Sequence, residues 1–196
     1  MTKAEQTRQR ILSKAFELIY VRGYQAASID EIIATTDVTK GAFFYHFKNK
    51  EEMGLAIVEE IVRPILRENF IAPLKASENP LATIYKMMEH LLLKDPFLKK
   101  EHGCPAGNLV QEMAPYNDVF FRTLSEVIGE WKDALEDTLR KARKEGQIRK
   151  DVHTQEVAIF IMSGYWGVRN LGKIYSDDSC YRAYLKGFKS YLKSLE

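Results

Sequence analysis

Between Ser28 and Lys50 the chain starts a helix, stops it, starts a second and stops that too, all in SIDEIIATTDVTKGAFFYHFKNK. Few folds accommodate two helices that short with so tight a break. Ser28 and Glu31 form an S-x-x-E capping box, in which hydroxyl and carboxylate each satisfy a main-chain N–H at a helix start. Ile29, Ile32 and Ile33 then fall on one face, and Thr35-Thr36-Asp37 supplies side chains that bond their own backbone and favour a turn. Val38 is placed to plug the crevice between the two helices. From Thr39 the helical pattern resumes, with Phe43, Phe44 and Phe47 predicted to form one apolar stripe. Asn49, with Glu52 three residues on, starts the next helix and leaves Lys50 at its N-terminus, where phosphate binding is favoured.

The face opposite the phenylalanines is small, basic or hydrogen-bonding: Thr39, Lys40, Gly41, Ala42, Tyr45 and His46. Such a face suits a DNA major groove, which admits a single helix. Gly41 and Ala42 let the backbone approach, Lys40 reaches a phosphate or a guanine edge, and Tyr45 and His46 donate to phosphate oxygens. Periodicity alone is equally compatible with an ordinary helical hairpin whose aromatics are core and whose charges are solvated.

The run Thr39-Lys40-Gly41-Ala42-Phe43-Phe44-Tyr45-His46-Phe47, followed by Asn49-Lys50-Glu51-Glu52, resembles the recognition-helix signature of the tetracycline-repressor (TetR) family of bacterial transcription regulators. The resemblance implies an all-α chain with an N-terminal three-helix helix-turn-helix DNA-binding domain and a C-terminal helical bundle for ligand binding and dimerisation. It implies DNA contacts from Ser28, Thr39, Lys40, Gly41, Tyr45, His46 and Lys50. Two positions depart from the family pattern. Asp37 stands where glycine is usual, and aspartate tolerates the left-handed conformation such a turn needs. Phe44 stands where tyrosine is usual, which removes a hydroxyl and leaves Tyr45 as the phosphate donor.

Charge distribution agrees with a DNA-binding head. The net charge is only +2 over 196 residues, but residues 1–50 hold eight Lys/Arg against five Asp/Glu. The two cysteines, Cys104 and Cys180, make no disulfide framework and no metal-ligand spacing. No apolar run approaches the roughly twenty residues that span a bilayer, and Met1-Thr2-Lys3 leads into a charged amphipathic helix rather than a signal peptide. The expectation is a cytoplasmic protein without a membrane role.

The opening helix carries a second capping box, Thr2 with Glu5, buries Ile11, Leu12, Ala15, Phe16 and Ile19, and ends at Gly23 as a C′ glycine. A three-helix head of under 50 residues has little core, so the fourth helix, from about Lys50 towards Leu74, should pack beneath it, with a kink near Glu60 to Pro64. Domains are placed at 1–48 for the head and 49–196 for effector binding and dimerisation. Further helices are predicted from Asn79-Pro80, over 106–113, over 118–144, and over about 157–174 and 178–195. The helix at 157–174 is apolar almost all round and needs two partners; with the last helix it should form a four-helix homodimer interface. Its glycines, Gly164, Gly167 and Gly172, belong where another backbone comes close. DNA reading then needs two heads about 34–36 Å apart.

No nucleophile arrangement, Gly-rich phosphate loop or H-E-x-x-H pair appears, so neither enzyme activity, a cofactor nor a metal is expected. The second domain instead concentrates aromatic and polar residues suited to an effector pocket: Tyr85, Met88, Phe97, Asn108, Glu112, Phe120, Trp131, Tyr165, Trp166 and Arg169. Arg169 interrupts an apolar helix, and a pair with Glu112 would serve either as ligand anchor or as plain ion pair. Cys104, at a helix start and with Lys173 a candidate neighbour, is similar to positions used by electrophile- or oxidant-sensing members of the family; a buried thiol is the other reading. The function expected is a dimeric repressor that leaves operator DNA when a small hydrophobic molecule binds. The alternatives are a thiol-based sensor on the same scaffold and a helical enzyme or carrier without a DNA role.

Overall fold

The computed structural model describes residues 1–196, and its elements are all helical. Local signals set most boundaries. Helix α1 (Lys3–Arg22) opens with the Thr2–Glu5 capping box, α2 (Ile29–Ala34) with the Ser28–Glu31 box, and α3 (Lys40–His46) with Thr39 accepting from the Ala42 amide. Residues Lys50–Lys75 form one continuous helical run, α4, in which α-helical turns alternate with π-helical segments at Val58–Val62 and Arg67–Ile71. Then come α5 (Pro80–Leu93), a 3-10 turn (Lys100–His102), α6 (Pro105–Met113), α7 (Asp118–Lys144), α8 (Thr154–Gly172) and α9 (Ser179–Lys193).

Around the kink expected near Glu60 to Pro64 the helix carries a π segment. Dihedrals flanking the first π segment stay helical, at φ −60° and ψ −45° for Ile57 and φ −61° and ψ −47° for Arg63. Each π segment lies just before a proline, Pro64 or Pro73. A proline has no N–H to donate and its ring crowds the carbonyl four residues back; widening the turn relieves both without ending the helix.

By packing, the chain divides into two units, residues 1–64 with 105–127 and residues 65–104 with 128–196, a grouping that the split at 48/49 does not anticipate. In the first unit α2 and α4 pack on α1, whose Ile11, Leu12, Ala15 and Phe16 are buried, and α6 packs against the first π turn. Arg8 lies at the edge of this core, pairing with Glu60 while its guanidinium lies 4.9 Å from the centre of the Phe47 ring. The α1–α2 connection passes through Gly23 at φ 91° and ψ 155°, an extended positive-φ conformation essentially restricted to glycine, rather than the left-handed cap.

In the second unit α9 packs on α5 and α8. Its centre is an aromatic cluster, Phe70, Trp131 and Tyr165, with centroids 5.0–5.7 Å apart and rings edge to face. Gly164 and Gly172 do mark close approach, but of tyrosine rings rather than backbone: a Cβ at either would lie 2.5 Å from the hydroxyl of Tyr184 or Tyr181, while one at Gly167 would meet open space. On α8 the apolar side chains of Ile159, Phe160 and Leu171 stay 48–54% exposed, and Ile174, just beyond its end, is 80% exposed.

Candidate nucleic-acid interface

Helix α3 is held by Phe43 and Phe47, both buried. Phe44 is not the third anchor: it is 44% exposed and meets Phe43 only edge-on, at 5.3 Å. At about 100° of rotation per residue, i and i+4 share a stripe while i+1 swings a quarter-turn away. Opposite the buried pair, Lys40 and Gly41 are exposed, and Tyr45 is 79% exposed with its ring edge-on to half-buried His46 at 5.0 Å.

Several candidate contacts already have partners. The Lys40 ammonium is 2.9 Å from the Asp30 carboxylate, both exposed. Such a pair is worth little in water, so exchanging the carboxylate for a phosphate costs little. The Ser28 hydroxyl donates to the Glu31 carboxylate at 2.8 Å and accepts from the Glu31 amide, so it caps α2. The Thr39 hydroxyl likewise caps α3. Lys50 is turned onto the α1–α2 turn: its ammonium donates to the Gln25 carbonyl at 3.3 Å and lies 4.5 Å from the centre of the Tyr24 ring. Burial lowers its pKa, against the opposing pull of Glu112 and Glu31.

A family model described as "Bacterial regulatory proteins, tetR family" matches residues 11–57, and one described as "Tetracyclin repressor-like, C-terminal domain" matches residues 80–188, more than half the chain. The chain belongs to the TetR family. It is a DNA-binding transcriptional regulator of that family, and α2, its turn and α3 are the helix-turn-helix. TetR-family relatives include the transcriptional regulator AcuR of Cereibacter sphaeroides, 30% identical, with 81% of this chain and 73% of that protein covered. The transcriptional repressor DhaR of Mycobacterium sp. (strain GP1) is 24% identical, with 82% and 79% covered. A TetR-family regulator of Chloroflexus aurantiacus has the same fold, with a TM-score of 0.88, 26% identity, and 98% and 97% of the two chains covered.

The residues suggested for a TetR effector pocket fall in both units. In the unit of residues 1–64 and 105–127, Phe120 is buried edge-on to Tyr24 at 5.3 Å, Asn108 is half-buried on α6, and Glu112 accepts from the Gln25 amide at 3.0 Å. In the other unit Met88, Trp131, Tyr165 and Arg169 are buried, Trp166 is half-buried, and Phe97 is 36% exposed. Tyr85 lies beneath the Lys189 ammonium at 5.7 Å and lines a surface groove of about 610 Å³ with Lys86, Glu89 and Lys193. Cys104, 8% exposed, immediately precedes α6.

Within their own units, Glu112 and Arg169 each meet main-chain groups. Arg169 donates to the main-chain carbonyls of Lys99, at 3.0 Å, and Gly103, so the arginine ties down the 3-10 turn. The sequence pattern does not single out Phe70, a member of the aromatic cluster, or the packing of the Gly23–Gln25 turn. Only the positive-φ requirement of a glycine at a helix end signalled the latter.

Proposed function

We propose that this TetR-family chain is a repressor that binds operator DNA as a homodimer and releases it on binding a small, largely apolar molecule. The carrying observation is α3: buried on Phe43 and Phe47, it turns Lys40, Gly41 and Tyr45 outward. In this reading Lys40, Tyr45, His46 and Lys50 meet phosphates or base edges, Gly41 admits the backbone, and Ser28 and Thr39 act first as caps with main-chain donors behind them. Dimerisation runs through α8 and α9, and the exposed apolar face of α8 supports it. No helix is long and apolar enough to cross a membrane, which fits a cytoplasmic regulator. Catalysis, a cofactor and a metal form no part of the proposal.

In this reading the effector binds beside the Phe70–Trp131–Tyr165 cluster. The buried Trp131 indole N–H has no hydrogen-bond partner, a deficit of about 1–3 kcal/mol that an acceptor on a ligand removes. Gel shifts with the DNA upstream of the chain's own gene test the first half. Lys40→Ala and Tyr45→Phe each weaken binding about tenfold with unchanged melting temperature; unchanged affinity in both removes the contact assignment. The thiol-sensor alternative rests on Cys104 at the start of α6, and release by electrophiles that survives Cys104→Ser ends it.

A further inference from the structure

Glu112 belongs to the part of the chain matched by the C-terminal family model, yet its carboxylate serves the head. One oxygen accepts from the Gln25 amide at 3.0 Å, and the carboxylate occupies the space beside Gly23, where a Cβ would lie 2.9 Å from it. The neighbouring Met113 sulfur accepts from the Gln25 side-chain amide at 3.1 Å. The turn so held has its own cargo. The Gln25 carbonyl accepts from the Lys50 ammonium, and Tyr24 binds Lys50 twice, with its ring beneath the ammonium and its hydroxyl donating to the Lys50 carbonyl at 3.1 Å.

We propose that Glu112 is a positioning residue for operator binding: by clamping the Gly23–Gln25 turn it holds the Lys50 ammonium at the start of α4, where a phosphate is met. The inference rests on the phosphate role given to Lys50 above. A free lysine stem gives up rotamer entropy when it is fixed, and a side chain already held on a carbonyl and a ring loses less of it on binding. An ammonium has three donors and Gln25 takes one of them, so a phosphate oxygen adds to this arrangement without dismantling it. The Glu112 carboxylate also favours the charged lysine, which burial opposes. When the clamp is lost, apparent affinity falls by the fraction of molecules in which the turn and Lys50 remain placed.

The test is a double-variant cycle on operator duplexes that the full-length wild-type chain recovers from a random pool, with thermal unfolding alongside. Lys50→Ala in the wild-type background weakens binding about tenfold and lowers the slope of log affinity against log salt by about one. Glu112→Ala does the same, and adding Lys50→Ala to it costs little more in affinity or slope. Glu112→Gln, which keeps an acceptor for the Gln25 amide and so protects the fold, loses about threefold, and Lys50→Ala costs correspondingly less there than in wild type. Wild-type affinity in a folded Glu112→Ala chain, or an equal cost of Lys50→Ala in wild-type and Glu112→Gln backgrounds, overturns the inference and leaves the DNA reading standing. A wild-type chain that recovers no duplex overturns that reading and the inference together.

Discussion

Single positions carry unequal weight here, and Gly23 shows why. Its φ of 91° is a conformation that other residues adopt only under strain, and the space where a side chain would go holds the Glu112 carboxylate. Gly23→Ala is expected to destabilise by about 1–3 kcal/mol, seen as a lower melting temperature. Arg169 is a different case, a fully buried charge that donates to the main-chain carbonyls of Lys99 and Gly103. Arg169→Met keeps much of the volume but leaves those carbonyls without the donor. A loss of about 2–3 kcal/mol in urea unfolding is expected, and a smaller one means that water replaces the guanidinium. Glu112 was grouped in the sequence with Arg169 as a possible partner, because charge and apolar context were visible there and three-dimensional neighbourhood was not.

At the scale of elements, the short helices depend on their caps. Helix α2 has six residues, too few to persist alone, and Ser28 satisfies its first donors. Ser28→Ala should lower stability by about 1 kcal/mol and weaken DNA binding only indirectly, so a large affinity loss at unchanged stability would restore the direct contact role. The same cap has an acid signature. Hydrogen bonds from the Ser28 main chain and side chain, then Arg22, hold the Glu31 carboxyl below its usual 4.5. A depressed carboxyl favours the fold fully above the ordinary value and ceases to do so as pH falls through the lowered one. Glu31→Gln should therefore flatten that part of the acid limb of a stability–pH curve. Helix starts were legible because a cap and its partner lie three residues apart. The π turns before Pro64 and Pro73 were not, since a proline announces a missing donor without saying whether the helix bends, ends or widens.

For the whole molecule, the proposed dimer and switch set the scale of the energies. Phe160 and Leu171, each 54% exposed on α8, are the natural centre of a self-complementary interface. Phe160→Glu with Leu171→Glu should give monomers in sedimentation velocity and abolish cooperative binding to paired half-sites while the head keeps its fold; a dimer that survives both changes moves the interface elsewhere. An effector that converts a 1:99 balance of DNA-fitting and non-fitting states to the reverse must discriminate by about 5.5 kcal/mol, and satisfying the Trp131 donor accounts for part of that. The sequence by itself determined where most helices start and stop, that they are amphipathic, and that Lys40 to His46 presents a thin polar face, because caps and periodicity act over one or two turns. Only the tertiary structure decided that residues 105–127 pack with the head, that Phe44 stands off the stripe, and that Glu112 and Arg169 close on main-chain groups far away in the chain. Those outcomes depend on which apolar faces meet, and that choice is made by packing many residues at once, which no local spacing encodes.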